Sequence, residues 1–327
     1  MEENMSQDLL IGIILLISYI GLAVYAAKGG NLMIGFFIMA VIWTAASIVG
    51  GRLTWDDAMS NILQGGPESW GATAVNVIFG SWFGRVLIDT GIASKLIKSV
   101  TELGGDNPLI VTVLLSIVTA VIFTATFGAG AVVAIGVIIL PILMSLGVPK
   151  PLAVTSYLMS VGAGMYFNPV LFSQMQAIFP EMAYDGAYFQ WALPALVVQL
   201  IGVGLMLFFT MFVLGKKRRR KAWAAKAVLN EADQEYVPAW ALITPVIPTV
   251  LAIAFGWQTI PAFIVGAVYG LVVCRQFHGP DGKFSWTQMS RTISSTFYDG
   301  VIDVASLLGF LFILPMFNRI SGVAAPF

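Results

Sequence analysis

The sequence predicts an all-α polytopic membrane protein with inverted-topology repeats, re-entrant hairpins and broken helices, and three observations point there. First, 58% of the 327 residues are hydrophobic and only 10% charged, with a mean hydropathy of +0.88, whereas soluble domains carry about 25% charge. Second, residues 107–149, 151–180, 186–215 and 236–274 contain no Asp, Glu, Lys or Arg, so each stretch can supply a span of about 20 apolar residues. Third, a polar loop motif recurs at a fixed distance along the chain. Seventeen basic and 17 acidic residues give zero formal net charge, and the only run of basic ones is one short cluster rather than a face for nucleic acid. With a single cysteine, Cys274, and a single histidine, His278, neither a disulfide nor a Cys/His zinc site can be built, and no metal site is expected.

Taken in order, the elements begin with an acidic start, Glu2, Glu3 and Asp8, and no Lys or Arg precedes Lys28. A cleaved signal peptide needs a basic n-region, so 9–27 reads as a retained first span. Further spans are expected at 31–51, 72–92, 151–170 and 187–214, with two passes, or one re-entrant hairpin plus a helix, inside 107–149. Either way the crossing number up to Gly215 is odd. Lys216, Lys217, Arg218, Arg219, Arg220 and Lys221 follow directly, and the positive-inside rule places them in the cytoplasm and the N-terminus outside, in a plasma or inner membrane. The predicted organisation is a first transmembrane repeat at 1–215, a cytoplasmic linker at 216–238 and the start of a second, inverted repeat at 239–327.

The repeat is read from Gly51-Arg52-Leu53-Thr54-Trp55 beside Gly282-Lys283-Phe284-Ser285-Trp286, an offset of 231 from Trp55 to Trp286. The same offset pairs Phe79 with Phe310 and Thr90-Gly91-Ile92-Ala93 with Ser321-Gly322-Val323-Ala324. An odd number of crossings per copy inverts the second copy, as in many secondary transporters. Partners for residues 97–215 would fall beyond Phe327, so the sequence reads as truncated within its second repeat.

Helix breakers at membrane depth mark candidate sites, because backbone freed from helical bonding is tolerated there only against protein or a water-filled cavity. Thr124, Thr126, Gly128 and Gly130 are expected to form a hairpin tip. Ser160, Asn168, Pro169 and Ser173 are expected to line a broken helix, since Pro169 has no amide to donate and disfavours helical geometry at Asn168. Half-helix N-termini there would attract an anion, while freed carbonyls and hydroxyls suit a small cation; close packing of small residues is the alternative. Arg85 and Asp89, four residues apart on one helix face, are candidates for gating or coupling, or a structural pair at the interface.

The run Gly80-Ser81-Trp82-Phe83-Gly84-Arg85-Val86-Leu87-Ile88-Asp89-Thr90-Gly91-Ile92-Ala93 resembles the corresponding stretch of gluconate permeases of the ion transporter superfamily. Gly104-Gly105-Asp106-Asn107-Pro108, Pro141 and the run from Gly164 to Pro169 are similar in order and spacing to citrate-metal carriers of the same superfamily. The resemblance covers roughly 72–175. It implies a symporter of a small organic anion, a hydroxy acid or carboxylate, coupled to H⁺ or a cation such as Na⁺, working by alternating access and not an enzyme. Its partners would be the anion and the lipid bilayer, with no cofactor beyond the coupling ion and no nucleic acid; a homodimer is compatible. The competing readings are a Na⁺/H⁺-type antiporter and a non-transporting membrane scaffold or subunit.

Overall fold

The computed structural model describes residues 2–105, 107–214, 236–279 and 281–325. The basic cluster at 216–221, and the expected linker as far as 235, lie outside the described residues. Among the described residues there is no strand, only an isolated bridge between His278 and Phe284. Five helical segments are long and apolar enough to cross a membrane: Leu9–Ala27, Leu32–Val49, Trp55–Asp89, Gly186–Thr210 and Trp286–Ala324. Leu16, Ile17, Val198 and Ile201 on these segments are exposed, a surface suited to lipid and consistent with an all-α, multi-pass membrane protein.

Helices α1 (Glu2–Ala27) and α2 (Leu32–Val49) are joined through Asn31, whose side chain caps α2 by accepting from the Met33 amide. After the short helix Trp55–Asp57, the π-helical stretch Ala58–Gln64, one α-helical turn at Gly65–Glu68 and a turn at 69–70 comes α3 (Gly71–Asp89). Gly91, at φ 72, turns the chain into α4 (Ile92–Leu103), a conformation that costs little without a Cβ. There follow α5 (Pro108–Phe123), α6 (Ala129–Ser145), α7 (Lys150–Met165), α8 (Pro169–Ile178) and α9 (Gly186–Leu214). A 3₁₀ segment, Ala239–Val246, leads into α10 (Ile247–Phe255), α11 (Thr259–Val273) and α12 (Trp286–Ala324). The expected 107–149 segment is therefore two helices of 16 and 17 residues, each about 25 Å long at 1.5 Å per residue and shorter than a hydrocarbon core of about 30 Å.

The chain divides into two compact units. One comprises 1–75 with 305–327; Met39, Ala40, Ile62, Met316, Phe317 and Ile320 form its core, and the Trp43 indole donates to Ser18 Oγ at 2.9 Å. The other comprises 76–304, with a core drawn from α4 to α7 and α9, including Ile97, Leu115, Phe123, Ile135, Ile139, Tyr157 and Leu207. In this unit a Cβ on Gly164 would run into the Ala120 carbonyl, so α5 and α7 cross at backbone distance. Helices α3 and α12 do the same where Gly300 meets the Trp82 backbone, and Ser81 Oγ donates to Gly300 O at 2.7 Å.

The two loops with the recurring motif share their local geometry. Gly51 and Gly282 both have φ 71, and their amides donate three residues back, to Ile48 O at 3.0 Å and Gly279 O at 2.9 Å. The Thr54 carbonyl accepts from Ala58 at 3.0 Å and the Ser285 carbonyl from Met289 at 2.9 Å. The hydroxyls cap alike, Thr54 accepting from the Asp57 amide at 3.1 Å and Ser285 from the Gln288 amide at 3.3 Å. Beyond the caps the two segments diverge. The first passes through the π-helical stretch Ala58–Gln64 and a turn at 69–70, while the second continues as α12 for 39 residues.

Candidate functional site

Every sequence-predicted site residue falls in the 76–304 unit. Two helix interruptions dominate it: 124–128 between α5 and α6, and 166–168 between α7 and α8. Asn168 joins them. It is fully buried; its Oδ1 caps α8 by accepting from Val170 at 2.9 Å and Leu171 at 3.3 Å. Its Nδ2 donates to Phe123 O and to Thr126 O, each at 3.0 Å. An amide has two N–H donors, so both are committed to carbonyls released by the first break.

Three more freed carbonyls also find side chains. Thr249 Oγ1 donates to Thr124 O at 3.3 Å, Tyr188 donates to Tyr166 O at 2.7 Å, and Tyr184 donates to Phe167 O. Burial, with a smaller contribution from Tyr188, pushes the Tyr184 phenol above its ordinary range, so it remains a donor at neutral pH. Thus the backbone at both breaks is satisfied largely by protein.

Two polar features are left over at the first break. Thr126 Oγ1 is buried without a hydrogen-bond partner, an arrangement costing about 1–3 kcal/mol. The N-terminus of α6 has no side-chain cap, because Gly128, at φ 108, stands in the N-cap position. In contrast, the α8 terminus is closed by Asn168.

Next to this open terminus lies a group of four charges. Arg85 Nε donates to the Asp89 carboxylate at 3.0 Å. The other arms of the guanidinium face α12, with Nη2 3.6 Å from Asp299 and Nη1 3.7 Å from Asp303, beyond ordinary hydrogen-bond length. The Asp303 carboxyl group rests on the α carbon of Gly130, where any Cβ would collide with it. Arg85 is 29% exposed and Asp303 18%, so the group is accessible on one side. Among the described residues no set of three or more His, Cys, Asp or Glu is placed to hold a metal ion.

The structure thus brings Arg85, Thr126, Gly128, Gly130 and Asn168 into one neighbourhood. Gly130 sits in the first turn of α6 rather than at the reversal, so its lack of a side chain serves the approach of Asp303. Thr124, Ser160 and Ser173 bond within their own helices, to Val121 O, Ser156 O and Val170 O. Pro169 is the buried first residue of α8. Asp299 and Asp303 were missed by the sequence reading, although a signal was there: two acids four apart at the head of an apolar run are intramembrane charges on one helix face. No family model and no curated protein matches this chain, so the resemblance to ion transporter superfamily carriers rests on its motifs alone.

Proposed function

We propose that the chain is a secondary transporter that imports a small organic anion, a hydroxy acid or carboxylate, with H⁺ or another cation by alternating access. The observation that carries this reading is the pair of broken helices tied together by Asn168, with the uncapped α6 terminus open beside Arg85. A helix N-terminus and a guanidinium both favour an anion, and paired breaks of this kind suit a site between moving halves. The duplication is supported by the matched φ angles and cap hydrogen bonds around Gly51 and Gly282. In this reading the second copy is inverted, the N-terminus lies outside, 216–238 is cytoplasmic and the membrane is the plasma or inner membrane.

One observation favours a second reading. Three carboxylates around Arg85 also suit a Na⁺/H⁺ antiporter with no organic substrate. Uptake by the purified chain in proteoliposomes, with radiolabelled gluconate, citrate and simpler hydroxy acids under imposed H⁺ or Na⁺ gradients, tests the choice. Gradient-dependent accumulation of an anion is expected. Exchange of Na⁺ for H⁺ with no anion uptake would transfer the assignment to the antiporter, and no flux of any kind from folded protein would leave a scaffold.

A further inference from the structure

We propose that Asp303 is a tethered carboxylate occupying the anion site between Arg85 and the N-terminus of α6, and that a proton on Asp303 vacates it for the substrate carboxylate. The proposal rests on the anion-transport reading and adds how the proton and the anion are linked.

The geometry runs as follows. Asp89 holds Arg85 through Nε at 3.0 Å, which leaves the two terminal nitrogens of the fork directed elsewhere. Those nitrogens lie 3.6 Å from Asp299 and 3.7 Å from Asp303, near enough for charge attraction and too long for the bidentate bonds that a guanidinium makes with a free carboxylate. Asp303 also reaches the first turn of α6 at Gly130, the end of that helix where a negative charge is favoured and where no side-chain cap stands. A substrate carboxylate would seek these same two partners.

Charge counting explains the coupling. From α3 come Arg85 and Asp89; from α12 come Asp299 and Asp303, with Tyr298 beside them; α5 and α6 carry no titratable or charged side chain at all. One positive charge therefore faces three carboxylates, and a fourth from the substrate would be repelled. Protonating Asp303 removes one of the three and frees Nη1, and the incoming carboxylate then replaces it at unchanged total charge. Carriage of the anion thereby requires carriage of a proton, with no covalent step. Thr126 Oγ1, buried and unpartnered at the same break, is available to a further polar group of the anion.

Calorimetry on the full chain in nanodiscs tests this, with acetate, gluconate and citrate as probes between pH 5 and 8. In the wild type, affinity should rise about tenfold for each unit fall in pH where one proton is linked. Asp303→Asn should bind with the affinity of the acidic wild type throughout the range, with no pH slope, and Arg85→Gln should bind none of the three. If Asp303→Asn retains the wild-type slope, or if both bind without a slope, the tethered-carboxylate idea is overturned while the transport reading stands. Binding by Asp303→Asn but not by the wild type would support the tether and count against the transport reading. No binding by either would overturn both. Circular dichroism and a cooperative melt of each variant confirm that it is folded.

Discussion

Asn168 was expected to line a broken helix, and its side chain ties that break to the one between α5 and α6. All four of its side-chain hydrogen bonds go to backbone, two to α8 amides and two to carbonyls of the 124–128 break. Asn168→Ala removes a cap and leaves two buried carbonyls without partners, so it should cost about 2–4 kcal/mol of stability. A thermal melt in detergent should show the loss, while anion affinity of the surviving folded protein stays within about twofold, an effect below 0.5 kcal/mol. Unchanged stability with lost affinity would return Asn168 to the binding site. The sequence revealed that 168–169 breaks a helix because proline acts on its immediate neighbour. It could not reveal that the amide spans to Phe123 and Thr126, 45 and 42 residues away, since that depends on how α5 and α7 pack.

Among elements, the interruptions were the most legible. Gly128 at φ 108 follows from local backbone chemistry. The π-helical stretch Ala58–Gln64 and the uninterrupted run of α12 did not, because both depend on packing beyond a few residues. The role of Arg85 was only half legible: Asp89 shares its helix, whereas Asp299 and Asp303 come from one more than two hundred residues away. The matched loops before Trp55 and Trp286 lead to a topological prediction. Asp56 and Lys283 are exposed, and cysteines placed there singly, with Cys274→Ala, should react with an impermeant thiol reagent from opposite sides of the membrane. Labelling of both from one side would rule out an inverted repeat.

At the scale of the whole molecule, composition made the membrane class legible, since 10% charge cannot cover the surface of a soluble protein of this length. The packing of α5, α6, α7 and α9 around Leu115, Ile135 and Tyr157 was not, because most residues of those helices are apolar and periodicity does not distinguish a core face from a lipid face. The central claim joins both scales: an anion and a proton cross together through a site built of broken helices and one arginine. Luminal pH, followed with a trapped dye in proteoliposomes given a transported hydroxy-acid anion outside and no imposed pH gradient, tests it most directly. Acidification of the lumen that depends on the anion and disappears in Arg85→Gln is the predicted result. Anion entry with no proton movement, or proton movement that follows Na⁺ and ignores the anion, would contradict it.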